Sequence, residues 1–310
     1  MQITQALVLG ATGATGKNIA RELLRRGIQV RVSSRSRDKL ERAFEGLPVE
    51  IYPLDLHDQE AAHRAAEGCS LIFHCVGLPA EHFSDHLTLT RHTISAIRSS
   101  GARGLLISSF WSYWPLPERP IRETDSRRPE SKKGIIRRDQ EDLFLETGGT
   151  VAILPDFYGP DVDIGMLNPA IEAICAGKTA NWIGDVDHPR ELIFVPDAGY
   201  SLVELAMRDE ARGKSFNLPG AGAISARRLF QMAAERCGTR PRYRTAGPFM
   251  LALLGFFSDQ IRAMREMYPL YRKPPVLDGS RLRDLIGEVP RTPYPEGIAK
   301  TLDWMRERSQ

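Results

Sequence analysis

Ala6-Leu-Val-Leu9 runs directly into Gly10-Ala-Thr-Gly13-Ala-Thr-Gly16, and Lys17 to Arg26 follows with Ile19, Ala20, Leu23 and Leu24 on one helical face. The short apolar run reads as a strand buried on both faces, and the i, i+3, i+4 spacing as an amphipathic helix that stops at Gly27. Between them the glycines make a tight turn and let backbone amides approach a pyrophosphate with no side chain in the way. The helix N-terminus then points unpaired N–H groups and its positive dipole end at the phosphates. The spacing is G-x-x-G-x-x-G rather than G-x-G-x-x-G, so the order strand, turn, helix carries the reading more than the glycines do. Gly10, Ala11, Thr12, Gly13, Ala14, Thr15 and Gly16 are expected to cradle a dinucleotide.

Outward from this turn, strand and helix patterns alternate. Ile28 to Val32, Val49 to Tyr52, Leu71 to Phe73, Gly104 to Ile107 and Val151 to Leu154 read as strands, with helices near 36–45, 58–67, 83–100 and 133–147. Such alternation predicts an α/β fold of Rossmann type, a doubly wound parallel sheet. After Pro155 the prolines and glycines multiply and the periodicity weakens. The expected organisation is a dinucleotide-binding domain over 1–155 and a smaller substrate-capping region over 156–310. Segments near 191–197 and 214–218 of that region are expected to return to the sheet.

The end of the second strand selects the cofactor. An NAD site places an acid about 20 residues past the glycine turn to hold the ribose 2′-hydroxyl. Here the chain reads Ser33-Ser-Arg-Ser-Arg37, with no acid before Asp38. Arg35 can stack on adenine and pair with a 2′-phosphate, Ser34 can donate to it, and Lys39 adds charge. NADP(H) is therefore the preferred expectation and NAD(H) the second; the stretch also fits a solvated basic turn. Asp55 either faces the adenine amino group or caps a helix near His57.

Composition sets broader limits. The 310 residues are 42% hydrophobic and 26% charged with a net charge of +3, which suits a globular chain and gives no reason to expect a nucleic-acid partner. Four scattered cysteines without a C-x-x-C pair read as reduced thiols. Without a secretory signal or transmembrane segment, a cytoplasmic location is expected. His82 and His86 share helical i, i+4 spacing, but no third ligand belongs with them and no metal site is expected.

Several pieces in order now resemble one family. Beside the glycine turn stand Pro53-Leu-Asp-Leu56, Ile72-Phe-His-Cys-Val-Gly77, and Leu106-Ile-Ser-Ser109 followed by Tyr113. Leu154-Pro-Asp-Phe-Tyr-Gly-Pro160, Phe194-Val-Pro-Asp197 and Phe216-Asn-Leu218 follow. The chain resembles an extended or atypical short-chain dehydrogenase/reductase, of the NAD-dependent epimerase/dehydratase and NmrA- or isoflavone-reductase-like groups. The resemblance implies that Asp55, Leu56, Cys75, Val76 and Gly77 line the cofactor, that Ser108, Pro155, Phe157 and Tyr158 approach its nicotinamide end, and that two copies pair as a homodimer.

The chemistry such a family performs usually rests on Tyr-x-x-x-Lys, and no such spacing occurs here. Where it is due the chain reads Ser131-Lys-Lys-Gly-Ile-Ile-Arg-Arg-Asp-Gln-Glu141. Lys133-x-x-x-Arg137-Arg138-x-x-Glu141 resembles the isoflavone-reductase-like spacing, which would make Lys133 the acid/base or an anchor for the nicotinamide ribose; the same residues fit a solvated basic helix face. Ser109 matches the serine that orients a substrate oxygen. Tyr113 is either a recruited proton donor or part of an aromatic wall with Phe110, Trp111 and Trp114. Three functions stay open. The leading one is an NADP(H)-dependent oxidoreductase acting on a carbonyl, alcohol or activated double bond of a small, apolar or ring-containing molecule. The others are a sugar-nucleotide epimerase or dehydratase and a non-catalytic NADP(H) sensor. The apolar stretch 247–257 is expected to close the pocket, join two subunits or touch a membrane.

Overall fold

A computed structural model of the chain describes residues 3–163, 165–247, 249 and 259–308, with backbone alone over 259–264. The apolar stretch 247–257 lies outside the described residues apart from Gly247 and Phe249. The first strand, β1 (Gln5–Leu9), is buried on both faces, as its unbroken apolar run requires. Leu7 and Leu9 pack toward Leu56, Ala62, Leu89 and Ala96, whereas Ala6 and Val8 pack toward Ile19, Leu23, Leu202 and Leu205. Each fully enclosed aliphatic side chain of this kind stabilises the fold by roughly 1.5–3 kcal/mol.

The alternation continues through α1 (Ala14–Arg25), β2 (Gln29–Ser33), α2 (Arg37–Ala43), β3 (Glu50–Ile51), α3 (Gln59–Ala66), β4 (Leu71–His74), α4 (His86–Ser100), β5 (Arg103–Ser109), α5 (Lys132–Glu146) and β6 (Thr150–Leu154). The chain then runs through β7 (Asp156–Tyr158), α6 (Leu167–Cys175), β8 (Thr179–Ile183), β9 (Arg190–Phe194), α7 (Val195–Ala206), β10 (Ser215–Asn217), β11 (Ala223–Ile224), α8 (Ala226–Cys237), β12 (Arg242–Ala246), α9 (Asp259–Arg272), α10 (Ser280–Ile286) and α11 (Tyr294–Arg308).

Seven strands form one sheet in the order β10-β6-β5-β4-β1-β2-β3, every pairing parallel. The order reverses between β1 and β4, which opens a crevice at their carboxyl ends, where this class of sheet binds ligands. Of the two segments expected to return to the sheet, only the second does so: β10 pairs with β6. The first, β9, pairs instead with β7 and β11 in a separate three-stranded sheet. Its five residues are all buried, so an apolar run signalled burial without saying in which sheet. β8 and β12 form a further two-stranded parallel sheet. A second core of Tyr158, Ile171, Trp182, Phe194, Leu229 and Phe230 lies there.

The expectation of four reduced cysteines is corrected. Cys175 and Cys237 form a disulfide, with Cα atoms 5.2 Å apart and a sequence separation of 62, while Cys69 and Cys75 are free. Both partners end helices, α6 and α8, that pack on one another, a tertiary proximity that sequence spacing does not reveal. Among the described residues no helix is long and apolar enough to cross a membrane, and no group of His, Cys, Asp or Glu side chains is placed to hold a metal.

Candidate active site

The crevice at the reversal of strand order is a cleft of about 1290 Å³. Its floor is the turn after β1. Gly10 adopts φ +77°, and a Cβ there would lie 2.8 Å from the carbonyl oxygen of Cys75, so only glycine lets this turn press against the chain leaving β4. A Cβ at Gly16 would come within 2.7 Å of Ala11 Cα. At Gly13 the protein would leave room, the nearest atom being Gly10 O at 3.5 Å, so the missing side chain keeps the floor bare. The turn is fixed from behind, where Gly10 and Ala11 both donate N–H bonds to Ser33 O, at 2.9 and 3.0 Å. Gly10, Thr12, Gly13, Ala14, Thr15 and Gly16 line the cleft, while Ala11 is fully buried beneath it. A bare glycine floor, a helix N-terminus and a deep crevice fit a dinucleotide.

One end of the cleft is basic. Ser34 and Arg35 follow β2, and Lys39 and Arg42 lie one turn apart on α2, all four lining it. Ser36 caps α2 by accepting from the N–H of Lys39 at 3.3 Å, which holds that helix against the basic turn. Asp55, Leu56 and His57 form the facing wall. Asp55 accepts from the His57 N–H at 3.1 Å, and this bond together with the charges of His57 and Arg35 holds its carboxyl below the usual range. The cap of α3 is Asp58, not Asp55. Arg42 escaped sequence reading although its spacing from Lys39 was a usable signal.

The middle and the other end are more apolar. Cys75, Val76 and Gly77 leave β4 along the cleft, and Phe157, Trp111, Met267 and Tyr271 wall it farther on. Lys133 lines this part, its Nζ 5.4 Å from the centroid of the Phe83 ring and 6.0 Å from that of Trp111. Burial lowers the Lys133 pKa, Glu266 pulls it back up, and Arg137 pushes it down again. Met267 and Tyr271 come from α9, more than 200 residues after the glycine turn, and no sequence signal placed them here. Lys17 lies at the mouth, its Nζ 3.0 Å from Oδ1 of Asp161, which also pairs with Arg21. Asp161 holds this position with φ +66°.

Other expected residues lie elsewhere. Ser108 is buried and donates to Oε1 of Glu141 at 2.5 Å. Ser109 Oγ is enclosed without a hydrogen-bond partner among the described residues. Neither serine lines the cleft. Tyr113 is 1% exposed and faces a separate hollow of about 190 Å³, shared with Trp114 and Leu270 and divided from the cleft by Trp111. Burial pushes its hydroxyl pKa well up, and Glu141 adds to the effect. Pro155 is buried at the join of β6 and β7. Tyr158 is fully enclosed, its ring 5.9 Å from that of Tyr294, and its side chain packs the second core.

Known proteins agree with this architecture. Residues 10–133 match the family described as NAD(P)H-binding. The sterol demethylase protein B of Methylococcus capsulatus is 28% identical, covering 97% of this chain and 98% of its own length. The mouse sterol-4-alpha-carboxylate 3-dehydrogenase, decarboxylating, is 25% identical over 68% of this chain and 62% of its own. Among solved structures, MoeE5 in complex with UDP-glucose and NAD superposes with a TM-score of 0.78 at 22% identity, covering 99% of this chain and all of that one. The glycine-floored cleft at the strand reversal and the NAD(P)H-binding match across residues 10–133 mark a nicotinamide-dinucleotide site, in a chain that is similar along nearly its whole length to the Methylococcus protein and shares the fold of the NAD-bound MoeE5.

Proposed function

We propose that this chain is an NADP(H)-dependent oxidoreductase acting on a carbonyl, alcohol or activated double bond of a small, apolar, ring-containing molecule, with Lys133 as the proton-transfer group. The observation that carries this reading is the place of Lys133, on the cleft wall beside two aromatic rings and away from the basic end. The nicotinamide, when bound, supplies or accepts the hydride. As an ammonium, Lys133 gives a proton to the oxygen of a substrate being reduced; as a free amine, it takes one from an alcohol being oxidised. Desolvation brings these two forms closer in energy than on a surface lysine. Tyr113 is the weaker candidate, because its burial holds the proton on the phenol and Trp111 stands between it and the cleft.

Support for NADP(H) comes from Arg35, Lys39 and Arg42 at the end of the cleft where an NAD site would carry an acid. Support for an apolar ring comes from the Trp111, Phe157 and Met267 walls. Two relatives whose names mention sterols point the same way. The test is NADPH and NADH titration by fluorescence, followed by turnover on cyclic ketones and hydroxysteroids. Oxidation or reduction that collapses in Lys133→Met supports the proposal. Binding without turnover on any cyclic substrate would favour a cofactor sensor.

A sugar-nucleotide substrate is the second reading, and one observation favours it. Arg190 is 1% exposed, its guanidinium 4.5 Å from the Trp182 ring, and although Asp156 attracts it none of its three nitrogens is hydrogen-bonded among the described residues. A buried cation with free donors is suited to an anionic group. Conversion of UDP-glucose by the purified chain would favour this reading over the first.

A further inference from the structure

Helix α5 carries Lys133 and Arg137 one turn apart, and both cations lie against one ring. Lys133 Nζ is 5.4 Å and Arg137 Cζ 5.1 Å from the Phe83 centroid. The ring attracts each cation, while the two like charges at i, i+4 repel by a few tenths of a kcal/mol. The Arg137 guanidinium is also poorly compensated. Its Nη1 donates to Gln140 Oε1 at 3.0 Å, but its Nε is enclosed and unpartnered among the described residues. Glu141, the acid on the same helix, is engaged by Ser108 and Arg127. Across on α4, burial pushes the His86 pKa down, with Arg137 and His74 adding to the effect, and both ring nitrogens are enclosed and unpartnered among the described residues. An incompletely paired cation of this kind is costly to keep.

We propose that Arg137 is a positioning residue for Lys133: its fixed charge behind the Phe83 ring drives the Lys133 amine toward the cleft and sets, against Glu266 of α9, whether that amine carries its proton. Glu266 is the opposing partner by geometry, because its Oε1 accepts the backbone N–H of Lys133 at 3.3 Å. The electrostatic directions agree. Burial lowers the Lys133 pKa, Glu266 raises it and Arg137 lowers it. Lys133 alone of the pair lines the cleft, so Arg137 acts through it rather than on a bound molecule. The inference rests on Lys133 being the proton-transfer group.

The test reads Lys133 itself. The full-length chain is labelled with 13C at the lysine ε-carbons, Lys133 is assigned by the resonance lost in Lys133→Met, and its chemical shift is followed with pH. In the unaltered chain Lys133 should titrate below the exposed lysines. Arg137→Met should move the titration up, Arg137→Lys should restore it, and Glu266→Gln should move it down. Opposite shifts from the two neighbours are a signature that loss of packing alone does not produce. An unmoved Lys133 in a folded Arg137→Met chain, or shifts of the same sign in both variants, would overturn the proposal. Should Arg137→Met not fold, Arg137→Gln takes its place, and a Lys133 that titrates with the exposed lysines in the unaltered chain overturns the proposal by itself. Turnover does not enter this readout. Opposite shifts with full activity in Lys133→Met would reject the proton-transfer role and leave the electrostatic coupling intact.

Discussion

Ser108 donates from Oγ to Oε1 of Glu141 across 2.5 Å, and this bond turns the serine into the core instead of the cleft. Glu141 is 1% exposed and also accepts from Nη1 of Arg127 at 2.9 Å, so two side chains, from β5 and the loop after it, close around this one carboxylate of α5. Burial pushes the Glu141 pKa up, and the Ser108 and Arg127 contacts restrain the rise. Removing an acid from such a cluster leaves its partners unsatisfied. Glu141→Ala should cost about 2–4 kcal/mol in urea denaturation. A loss below about 1 kcal/mol would show that the carboxylate is dispensable to the β5–α5 join.

Arg35 is expected to contact a 2′-phosphate by charge-assisted hydrogen bonds, each contributing about 1.5–3 kcal/mol. Arg35→Ala should therefore weaken NADPH roughly 10–100-fold and NADH only a few-fold, read as dissociation constants from cofactor fluorescence. Equal losses for both cofactors would exclude the 2′-phosphate contact.

Replacing Lys133 by Met keeps the length of the stem and removes the amine. If Lys133 transfers the proton, kcat should fall about 100-fold or more while NADPH affinity changes little. Parallel loss of cofactor affinity would instead make Lys133 a binding residue.

Much of the sheet was legible because its strands are short apolar runs between amphipathic helices, and Gly10 and Gly16 have no tolerated substitute in the turn they make. The basic end was legible for a similar reason: Ser34, Arg35 and Lys39 follow a strand whose end is fixed by the fold. What lay hidden depends on tertiary contact. Met267 and Tyr271 reach the cleft from a distant helix, β8 and β12 are short strands without a long apolar run, and Cys175 meets Cys237 only because α6 packs on α8. The serine motif misled for a physical reason. Ser108 follows the family spacing, but Glu141 lies beneath β5 and captures its hydroxyl.

The buried histidines predict a pH dependence. Burial pushes His86 from 6.5 down to about 2, and His74 down to about 3. The unfolded chain takes up these protons below about pH 6.5, so the stability associated with the neutral rings is whole above that pH and is lost as pH falls toward the folded values. Asp156 and Glu191, pushed up by burial to about 6 and about 7, act in the opposite sense, favouring the fold below those values. His86→Phe preserves an edge-on ring contact with Phe83, now at 4.7 Å, and removes one titration. Between pH 7 and 5 the variant should lose about 2 kcal/mol less stability than the parent. The same loss in both chains would show that His86 titrates alike in the folded and the unfolded chain.

The Cys175–Cys237 bond joins residues 62 positions apart, for which loop-closure entropy gives about 4 kcal/mol. A Cys175→Ser, Cys237→Ser chain should melt several degrees lower while NADPH affinity stays unchanged, since neither cysteine lines the cleft. Identical melting with and without a thiol reductant would show that the cross-link contributes nothing.

The first helix does not stand alone behind the glycine turn. Gly199 of α7 abuts it so closely that a Cβ there would lie 3.0 Å from Asn18, and β10 supplies the edge of the large sheet beside β6. Both pieces belong to the later half of the chain. A fragment ending after β6 would thus expose the apolar backs of Ile19 and Leu23 and an unpaired strand edge, which is a recipe for aggregation. For anyone wishing to graft this nucleotide cradle onto another protein, or to split the chain into complementing halves, the cut cannot follow the order of the sequence.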